Sequence, residues 1–265
     1  MPEPNPSPLH WKPVPTPAPT TLRGRDVTLE PLNAQRHTQA LWQAVRGHDD
    51  LWAYLFDGPF ATESDLRLSL EQKQAAQAAV FLAIVPAKSR IPEGAGPLGI
   101  SEGAGAFMPL KESENARPSG PASSSTPSAA GYASFMRMEP ALGVVEVGNI
   151  LLSPALQRTT AATEAMYLMA RHVFDDLCYR RYEWKCNAAN EPSRRAALRL
   201  GFTFEGIFRQ HMVVKDLNRD TAWFSMLDHE WPARKRSFES WLDPANFDDQ
   251  GKQRQTLSEI AVAQR

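Results

Sequence analysis

The spacing of apolar residues along the chain predicts an alternation of short strands and amphipathic helices. We assign strands where apolar residues recur at every second position and helices where they recur at every third or fourth. A helix between two neighbouring strands usually makes them parallel, so this order predicts a mixed α/β arrangement. The predicted elements are strands at 26–32, 80–85, 131–140, 144–152, 181–187, 202–215 and 221–228, and helices at 34–46, 62–77, 160–177, 191–200 and 232–242.

Three segments lack this periodicity. The 22 prolines concentrate in residues 1–20 and 86–129, and the second segment is also dense in Gly, Ser and Ala. Segments of this composition bury too little apolar surface to offset their ordering entropy. We therefore predict a disordered tail at 1–20, one domain at 21–242 with a flexible low-complexity insertion at 86–129, and a polar C-terminal tail at 243–265. Trp11 in the first tail is either incidental or a docking anchor.

Composition narrows the class of protein. The 265 residues suffice for one α/β domain of about 150 to 200 residues with additional segments. A formal net charge of −1 gives no sign of a nucleic acid or a membrane as partner. No signal peptide or long apolar run is present, so we expect a cytoplasmic protein. Two cysteines and scattered histidines such as His172 and His211 predict neither a disulfide framework nor a metal site.

The first segment with chemical content is 146–165, where an apolar strand leads through a short loop into a helix. The first N–H groups of a helix lack internal partners and carry partial positive charge, so such a loop can cradle a pyrophosphate. Small residues at 159–162 would let phosphates approach the backbone, and Arg158 could add charge. The alternative is an ordinary capped helix after a strand, and local physics leaves the two open.

The second segment is 180–206, which places a strand, a short helix and a strand in series. Asn190 is suited to cap the helix, and Ser193 lies three residues later. One interpretation is a simple N-cap with a polar first turn. The other directs the Ser193 hydroxyl into a groove.

Together these segments resemble the GNAT acetyltransferases, and within them the RimJ/RimL-like branch. Residues 157–162 lie in register with the family's Gln/Arg-x-x-Gly-x-Gly/Ala loop, except that Thr160 replaces the central glycine. The segments that carry the rest of the resemblance are 52–60, 163–165, 190–202, Glu205-Gly206 and Asp220. The resemblance implies an α/β (α+β) fold with one mixed, mostly antiparallel, twisted sheet of about six or seven strands, flanking helices and a strand–loop–helix pyrophosphate cradle.

The resemblance also implies an activity, the transfer of an acetyl group from acetyl-CoA, as co-substrate, to a primary amine of a small molecule or a protein N-terminus. The amine must be neutral to attack the thioester, and it gives up a proton during the reaction. The departing thiolate must gain a proton. Ser193 would supply the second proton, and Glu146 is our candidate base because a carboxylate in an apolar strand is costly unless it is paired or functional. The residues expected to bind the cofactor are Ile150, Leu151, Leu152, Gln157, Arg158, Thr159, Thr160, Ala161, Ala162 and Asn190.

For the acceptor, the resemblance implies binding by an aromatic loop, through Trp52, Tyr54 and Phe56. Glu183 on a neighbouring strand is a second candidate, and its alternative is a salt bridge with an arginine or lysine. Thr160 could replace a lost contact with its hydroxyl, or it could weaken cofactor binding. A noncatalytic GNAT-like module that binds CoA or a partner is therefore the competing hypothesis. Exposed strands at the sheet end could pair two copies into a homodimer.

Overall fold

The computed structural model describes residues 10–87 and 128–264. The predicted insertion at 86–129 and the start of the N-terminal tail therefore lie mostly outside the described residues. The strands are β1 (Leu22–Arg23), β2 (Val27–Pro31), β3 (Ala79–Pro86), β4 (Gly131–Glu139), β5 (Val144–Leu152), β6 (Arg181–Asn187), β7 (Thr203–Val214) and β8 (Leu217–Leu227). The α-helices are α1 (Ala34–Val45), α2 (Glu63–Ala75), α3 (Thr160–Arg171), α4 (Glu191–Arg199), α5 (Trp231–Leu242) and α6 (Leu257–Ala263).

The described strands form one eight-stranded sheet in the order β1-β2-β3-β4-β5-β6-β8-β7. Every neighbouring pair is antiparallel except β5 and β6, which are parallel and are joined through α3. The predicted mixed, mostly antiparallel sheet is confirmed. The extra strand is β1, which has only two residues and therefore leaves no periodic signal in the sequence.

Helices cover the two faces of the sheet unequally. On one face, α3, α4, α5 and α6 pack on a core that includes Val145 and Val147 of β5. On the other face, α1 and α2 pack on Ala83 and Tyr132 and reach Leu151 near the end of β5. Because side chains alternate along a strand, Glu146 points to the second face, opposite Val145 and Val147. The site described below is built on that face.

The conspicuous buried carboxylate of α3 has a structural role. Glu164 accepts hydrogen bonds from the backbone N–H groups of Arg25 (2.8 Å) and Asp26 (2.6 Å) in the turn between β1 and β2. A Cβ atom at Gly24 would lie 2.5 Å from the Glu164 carboxyl carbon, so only glycine permits this close approach. Glu164, in the Thr163–Ala165 segment of α3, thus links this helix to the β1–β2 edge of the sheet.

We expect Glu164→Gln to lower the free energy of unfolding by about 1–3 kcal/mol, because charge-assisted bonds are lost and the new amide N–H₂ group faces backbone donors. Urea denaturation, followed by circular dichroism, measures this. Glu71→Gln on the exposed side of α2 is the matched control and should stay within about 0.5 kcal/mol of the parent. Equal effects of the two substitutions would contradict the assigned role.

Both ends of the described chain are more ordered than the sequence indicated. Residues 10–20 were expected to be disordered, but the Trp11 Nε1–H donates to the Ala141 carbonyl (2.9 Å) and the Val14 N–H donates to the Pro140 carbonyl (3.1 Å). Trp11 therefore docks within the chain, on the turn between β4 and β5. In the expected C-terminal tail, α6 begins with a capping box at Thr256 and buries two apolar residues against the core that contains α5.

The last hairpin also differs from the prediction. We expected a turn over 216–220, but β7 and β8 are joined by Lys215 and Asp216 alone, both with positive φ (52° and 60°). Two consecutive positive φ values match a tight hairpin turn, which usually carries Asn or Gly. Because Lys-Asp lacks that signature, the polar residues after it were misread as a loop. They form the start of β8.

Candidate active site

A cleft opens where the two parallel strands separate. β5 and β6 pair only from Val144–Val147 with Arg181–Trp184, although both strands continue. Beyond that point the peptide groups of β5 that face β6 have no strand partner among the described residues. The cleft there has a volume of about 340 Å³. It is lined by residues of β4–β8, the start of α4 and the aromatic loop, including Glu146, Asn149, Ile150, Gln157, Asn190, Ser193, Tyr54 and Phe56.

A bulge in β5 shapes the cleft wall. Pairing with β4 shifts register between Tyr132↔Leu151 and Ser134↔Gly148, and Asn149 adopts a left-handed φ of 50°. The Asn149 side-chain amide donates to the Ser134 Oγ (3.0 Å), and that hydroxyl donates to the Gly148 carbonyl (3.1 Å). A bulge bends its strand. This one is therefore fixed by its own hydrogen bonds at the place where β5 leaves β6.

The beginning of α3 retains free backbone donors. Thr159 is the N-cap, and its Oγ1 accepts from the Ala162 N–H (3.1 Å). Among the described residues, nothing accepts from the N–H groups of Thr160 or Ala161. Left-handed backbone occurs at Arg158 (φ 58°) and not at Thr160. A residue with a side chain is therefore unstrained at position 160, where the related pattern has glycine.

Ser193 and its neighbours form the opposite wall. The Asn190 side chain caps α4 by accepting from the Ser193 N–H (3.1 Å). The Ser193 Oγ accepts from the Trp184 Nε1–H of β6 (3.1 Å). The cap therefore holds Ser193 beside the cleft. Buried Cys186 hydrogen bonds with the Ser193 side chain, and burial raises the pKa of its thiol although this hydrogen bond opposes the shift.

Glu146 is the buried carboxylate of the cleft, with only 5% of its surface exposed. Its Oε2 accepts from Lys185 Nζ (2.9 Å) and lies 3.2 Å from Arg137 Nε. Burial raises its pKa above the ordinary 4.5, although the two cations oppose that shift and Glu183 adds to it. The group is therefore a carboxylate whose proton affinity is increased.

The structure favours the salt-bridge interpretation of Glu183. Its carboxylate pairs with Arg181 (2.7 Å) and Lys185 (2.6 Å), and it does not line the cleft. Arg181 also pairs with Glu205 (2.6 Å). Lys185 thus bridges the two carboxylates, and Glu183 belongs to this salt-bridge network outside the cleft lining.

The structure brings part of the predicted site together. Glu146, Ser193, Ile150, Gln157, Asn190, Tyr54 and Phe56 line one cleft. The residues predicted for the site that lie outside this lining are Leu151, Leu152, Arg158, Thr159, Thr160, Ala161, Ala162, Trp52 and Glu183. Leu151 and Trp52 belong to the core under α1 and α2, and Trp52 packs edge-on against Phe60 (4.9 Å). Trp52 is thus a core residue that supports the aromatic loop, which corrects its assignment to the acceptor.

Several residues of the cleft were not assigned to the site from the sequence, among them His211 of β7 and Arg219 of β8. His211 hydrogen bonds through Nδ1 to the Thr221 Oγ1 (2.9 Å); burial and nearby Arg137 and Arg219 lower its pKa. Arg219 and Thr221 are two residues apart on one strand and share a face. Alternation could have revealed Arg219 and Thr221 if β8 had been recognised from its first residue, whereas His211 lies on β7.

The hairpin also fastens the aromatic loop. Lys215 Nζ donates to the backbone carbonyls of Trp52 (2.9 Å) and Asp57 (3.0 Å), and the Tyr54 hydroxyl donates to the Ala189 carbonyl (3.2 Å). The loop is therefore held at both the hairpin and the β6–α4 connection.

Comparisons with known proteins agree with this fold. A family model described as an acetyltransferase (GNAT) domain matches residues 26–203. A GCN5-related N-acetyltransferase from Brucella melitensis has 41% identity and a TM-score of 0.80, over 96% of this chain and 99% of that one. A probable acetyltransferase (GNAT family) from Chromobacterium violaceum has 33% identity and a TM-score of 0.68, over 88% and 98%. The chain belongs to the GNAT acetyltransferase family.

More distant likeness extends only to the fold. A Salmonella typhimurium acetyltransferase that modifies the N-terminal serine of ribosomal protein L7/L12 has 16% identity and a TM-score of 0.55, over 78% of this chain and 99% of that one. No curated protein matches the sequence. Within 10–87 and 128–264, no helix is long and apolar enough to cross a membrane, and no group of three or more His, Cys, Asp or Glu side chains could hold a metal ion.

Proposed function

We propose that the protein is an acetyl-CoA-dependent N-acetyltransferase that acts on a primary amine by direct attack. The observation that carries this proposal is the meeting of two features in one cleft. Unpaired peptide groups of β5 line the cleft, and Gln157 of the lining leads directly to the free N–H groups at the start of α3, which lie beyond the lining. Glu146 and Ser193 line the same space.

The backbone fits acetyl-CoA, which supplies an acetyl thioester when bound. The peptide groups of 150–152, released from pairing with β6, would hold the acetyl carbonyl and the pantetheine chain. The backbone of 158–162 would hold the pyrophosphate through the N–H groups other than that of Ala162, which already donates to Thr159 Oγ1, with the helix dipole adding favourable potential. Gln157 donates through its side chain to the Leu152 carbonyl (3.0 Å) and thereby ties the loop to the strand. Most of these contacts are to the backbone, so side chains at 151 and 152 can face the core.

Two side chains would move protons. Glu146 would accept the proton of the attacking amine, directly or through water, because its raised proton affinity suits a base. The Ser193 hydroxyl would donate a proton, or a hydrogen bond, to the departing sulfur. His211 is a second candidate base, since its lowered pKa keeps the imidazole neutral.

The alternative is a noncatalytic module that binds CoA. Thr160 was the main argument for it, and the absence of backbone strain at that position weakens the argument. A module would need neither a buried carboxylate nor a serine in the cleft. We also propose the RimJ/RimL-like branch, on the sequence motifs alone. A homodimer and a cytoplasmic location stay predictions.

We expect acetyl-CoA to stabilise the protein by about 2.7 kcal/mol at 100 times its Kd, because the ligand binds only the folded chain. Thermal denaturation measures this. Acetyl-pantetheine, which lacks the pyrophosphate, is the matched control ligand and should give a much smaller shift at equal concentration. No shift with millimolar acetyl-CoA would remove both CoA-based hypotheses. Release of free thiol across a panel of amines then separates an enzyme from a binding module.

A further inference from the structure

The cleft contains a buried cation that no side chain of the described protein neutralises. Arg219 is only 7% exposed, yet its side chain forms no salt bridge or hydrogen bond among the described residues, and its Nε is buried without a partner. The guanidinium lies over the ring of Phe56, whose centroid is 5.1 Å from the guanidinium carbon. Burying a charge without a counter-ion is costly, so such residues usually serve a ligand.

The other charges of the cleft do not satisfy Arg219. Glu146 is the buried carboxylate of the lining; its charge acts on Arg219 without a direct contact, and its salt bridges are with Lys185 and Arg137. Asp50, the other acidic residue of the lining, is exposed. Around Arg219 the lining therefore has a surplus of positive charge, which attracts an anion and repels a simple polycation.

The position of Arg219 relates it to the acceptor and not to the cofactor. It lies on β8 opposite Met212 of β7 and faces Phe56 of the aromatic loop. The free backbone donors proposed for acetyl-CoA belong to β5 and to the start of α3, and β5 lies on the other side of β6 from β8 in the sheet order. Arg219 thus occupies the part of the cleft where the amine would enter.

We propose that Arg219 binds a carboxylate carried by the acceptor itself, so that the substrate is an amine with a carboxylate, such as an amino acid. This inference rests on the proposed function. A planar guanidinium offers two parallel donors that match a carboxylate, which would fix the molecule with its amine toward Glu146. Apolar side chains of the lining, among them Leu55, Phe56 and Met212, would receive an apolar substituent.

The test compares leucine, methionine and phenylalanine with their amides and with carboxylate-free amines, by thiol release from acetyl-CoA. We expect the wild-type protein to favour an acid over its amide by about 10²-fold or more in kcat/KM, because the analogue leaves a buried arginine unpaired. Arg219→Met should abolish that preference and leave acetyl-CoA affinity unchanged. Arg219→Lys, which keeps the charge without the fork, should retain part of it. Arg209→Met, at an exposed position of β7, should behave as wild type.

Three results would overturn the proposal. They are equal or faster turnover of amides or carboxylate-free amines by wild type, retention of the acid preference in Arg219→Met, and loss of acetyl-CoA affinity in that variant. If no amine is acetylated, the proposed function fails separately. Binding of N-acetyl-leucine, N-acetyl-methionine and N-acetyl-phenylalanine by calorimetry then decides. Binding to wild type but not to Arg219→Met supports the carboxylate site, and absence of binding to wild type rejects it.

Discussion

Replacing Ser193 by alanine is expected to lower kcat by about 10²-fold or more while acetyl-CoA affinity changes little, because a positioned proton donor acts mainly in the transition state. The Asn190 side chain accepts from the Ser193 backbone N–H, and the Ser193 Oγ accepts from the Trp184 indole N–H. Neither contact uses the hydroxyl hydrogen, for which the departing sulfur would compete with the Cys186 thiol. Steady-state kinetics by thiol release and calorimetric titration of acetyl-CoA measure the two quantities separately.

Alanine at 193 also strips the Trp184 Nε1–H of its partner, which alone should cost about 1–3 kcal/mol of stability. Comparing Trp184→Phe with the double variant Trp184→Phe/Ser193→Ala removes this complication, since donor and acceptor are then both absent. Ser237→Ala in α5 controls for loss of a buried serine elsewhere, because its hydroxyl bonds the Ala233 carbonyl (3.0 Å). Equal losses of turnover and acetyl-CoA affinity in Ser193→Ala would reduce Ser193 to a binding residue or a cap.

For Glu146, we expect glutamine to lower kcat/KM by about 10²–10⁴-fold, because an amide cannot accept the amine proton. In the wild type, activity should fall on the acidic side as Glu146 takes up a proton. Because burial raises its pKa above 4.5, that fall should begin at a higher pH than for an ordinary glutamate. The pH profile of kcat/KM, from about pH 4 to pH 9, measures the position of this limb.

His211 complicates the assignment, since its pKa is lowered from 6.5 while that of Glu146 is raised from 4.5, so either group could produce an acidic limb. The variants separate the two. If Glu146 is the base, the acidic limb disappears in Glu146→Gln and persists in His211→Gln. The reverse result would transfer the role to His211.

Glu183→Gln is the matched control for Glu146→Gln. Both positions share Lys185, so either substitution leaves that lysine one carboxylate partner. Only Glu146 faces the cleft, and Glu183→Gln should therefore retain activity within a few-fold. The pH dependence of stability offers a further check. Folded Glu146 binds its proton more tightly than the unfolded chain does, so its contribution to stability falls as pH rises from 4.5 through the folded pKa.

Much of the fold could be predicted because local signals were strong. The capping box at Thr62 and the Asn190 cap mark helix starts, and the apolar alternation in β6 marks a strand buried on one face. The order of these elements then implied a parallel crossover. Features without a local signal were missed, as with the two-residue β1 and the Lys215-Asp216 turn.

The candidate site was predicted less completely, for a related reason. Glu146 and Ser193 could be found because each departs from its local pattern, as a charge in an apolar strand and a polar residue behind a cap. Arg219 could not be found in this way, because the turn was predicted at 216–220 and Arg219 was therefore assigned to a loop. Trp52 was assigned to acceptor binding because it lies in the aromatic loop. Only its packing under α1 and α2 shows that it supports this loop from inside the core.

The way in which Lys215 holds the aromatic loop bears on how the acceptor preference of such a protein can change. The lysine bonds to main-chain carbonyls of Trp52 and Asp57, and every amino acid presents the same oxygen there. Replacements at Tyr54 and Phe56 between them would leave this anchorage intact. The segment can therefore exchange the side chains that it presents to an acceptor and keep its attachment to Lys215, and a replacement of Tyr54 would lose only the bond to the Ala189 carbonyl. Selectivity can change in this way while the rest of the fold stays the same.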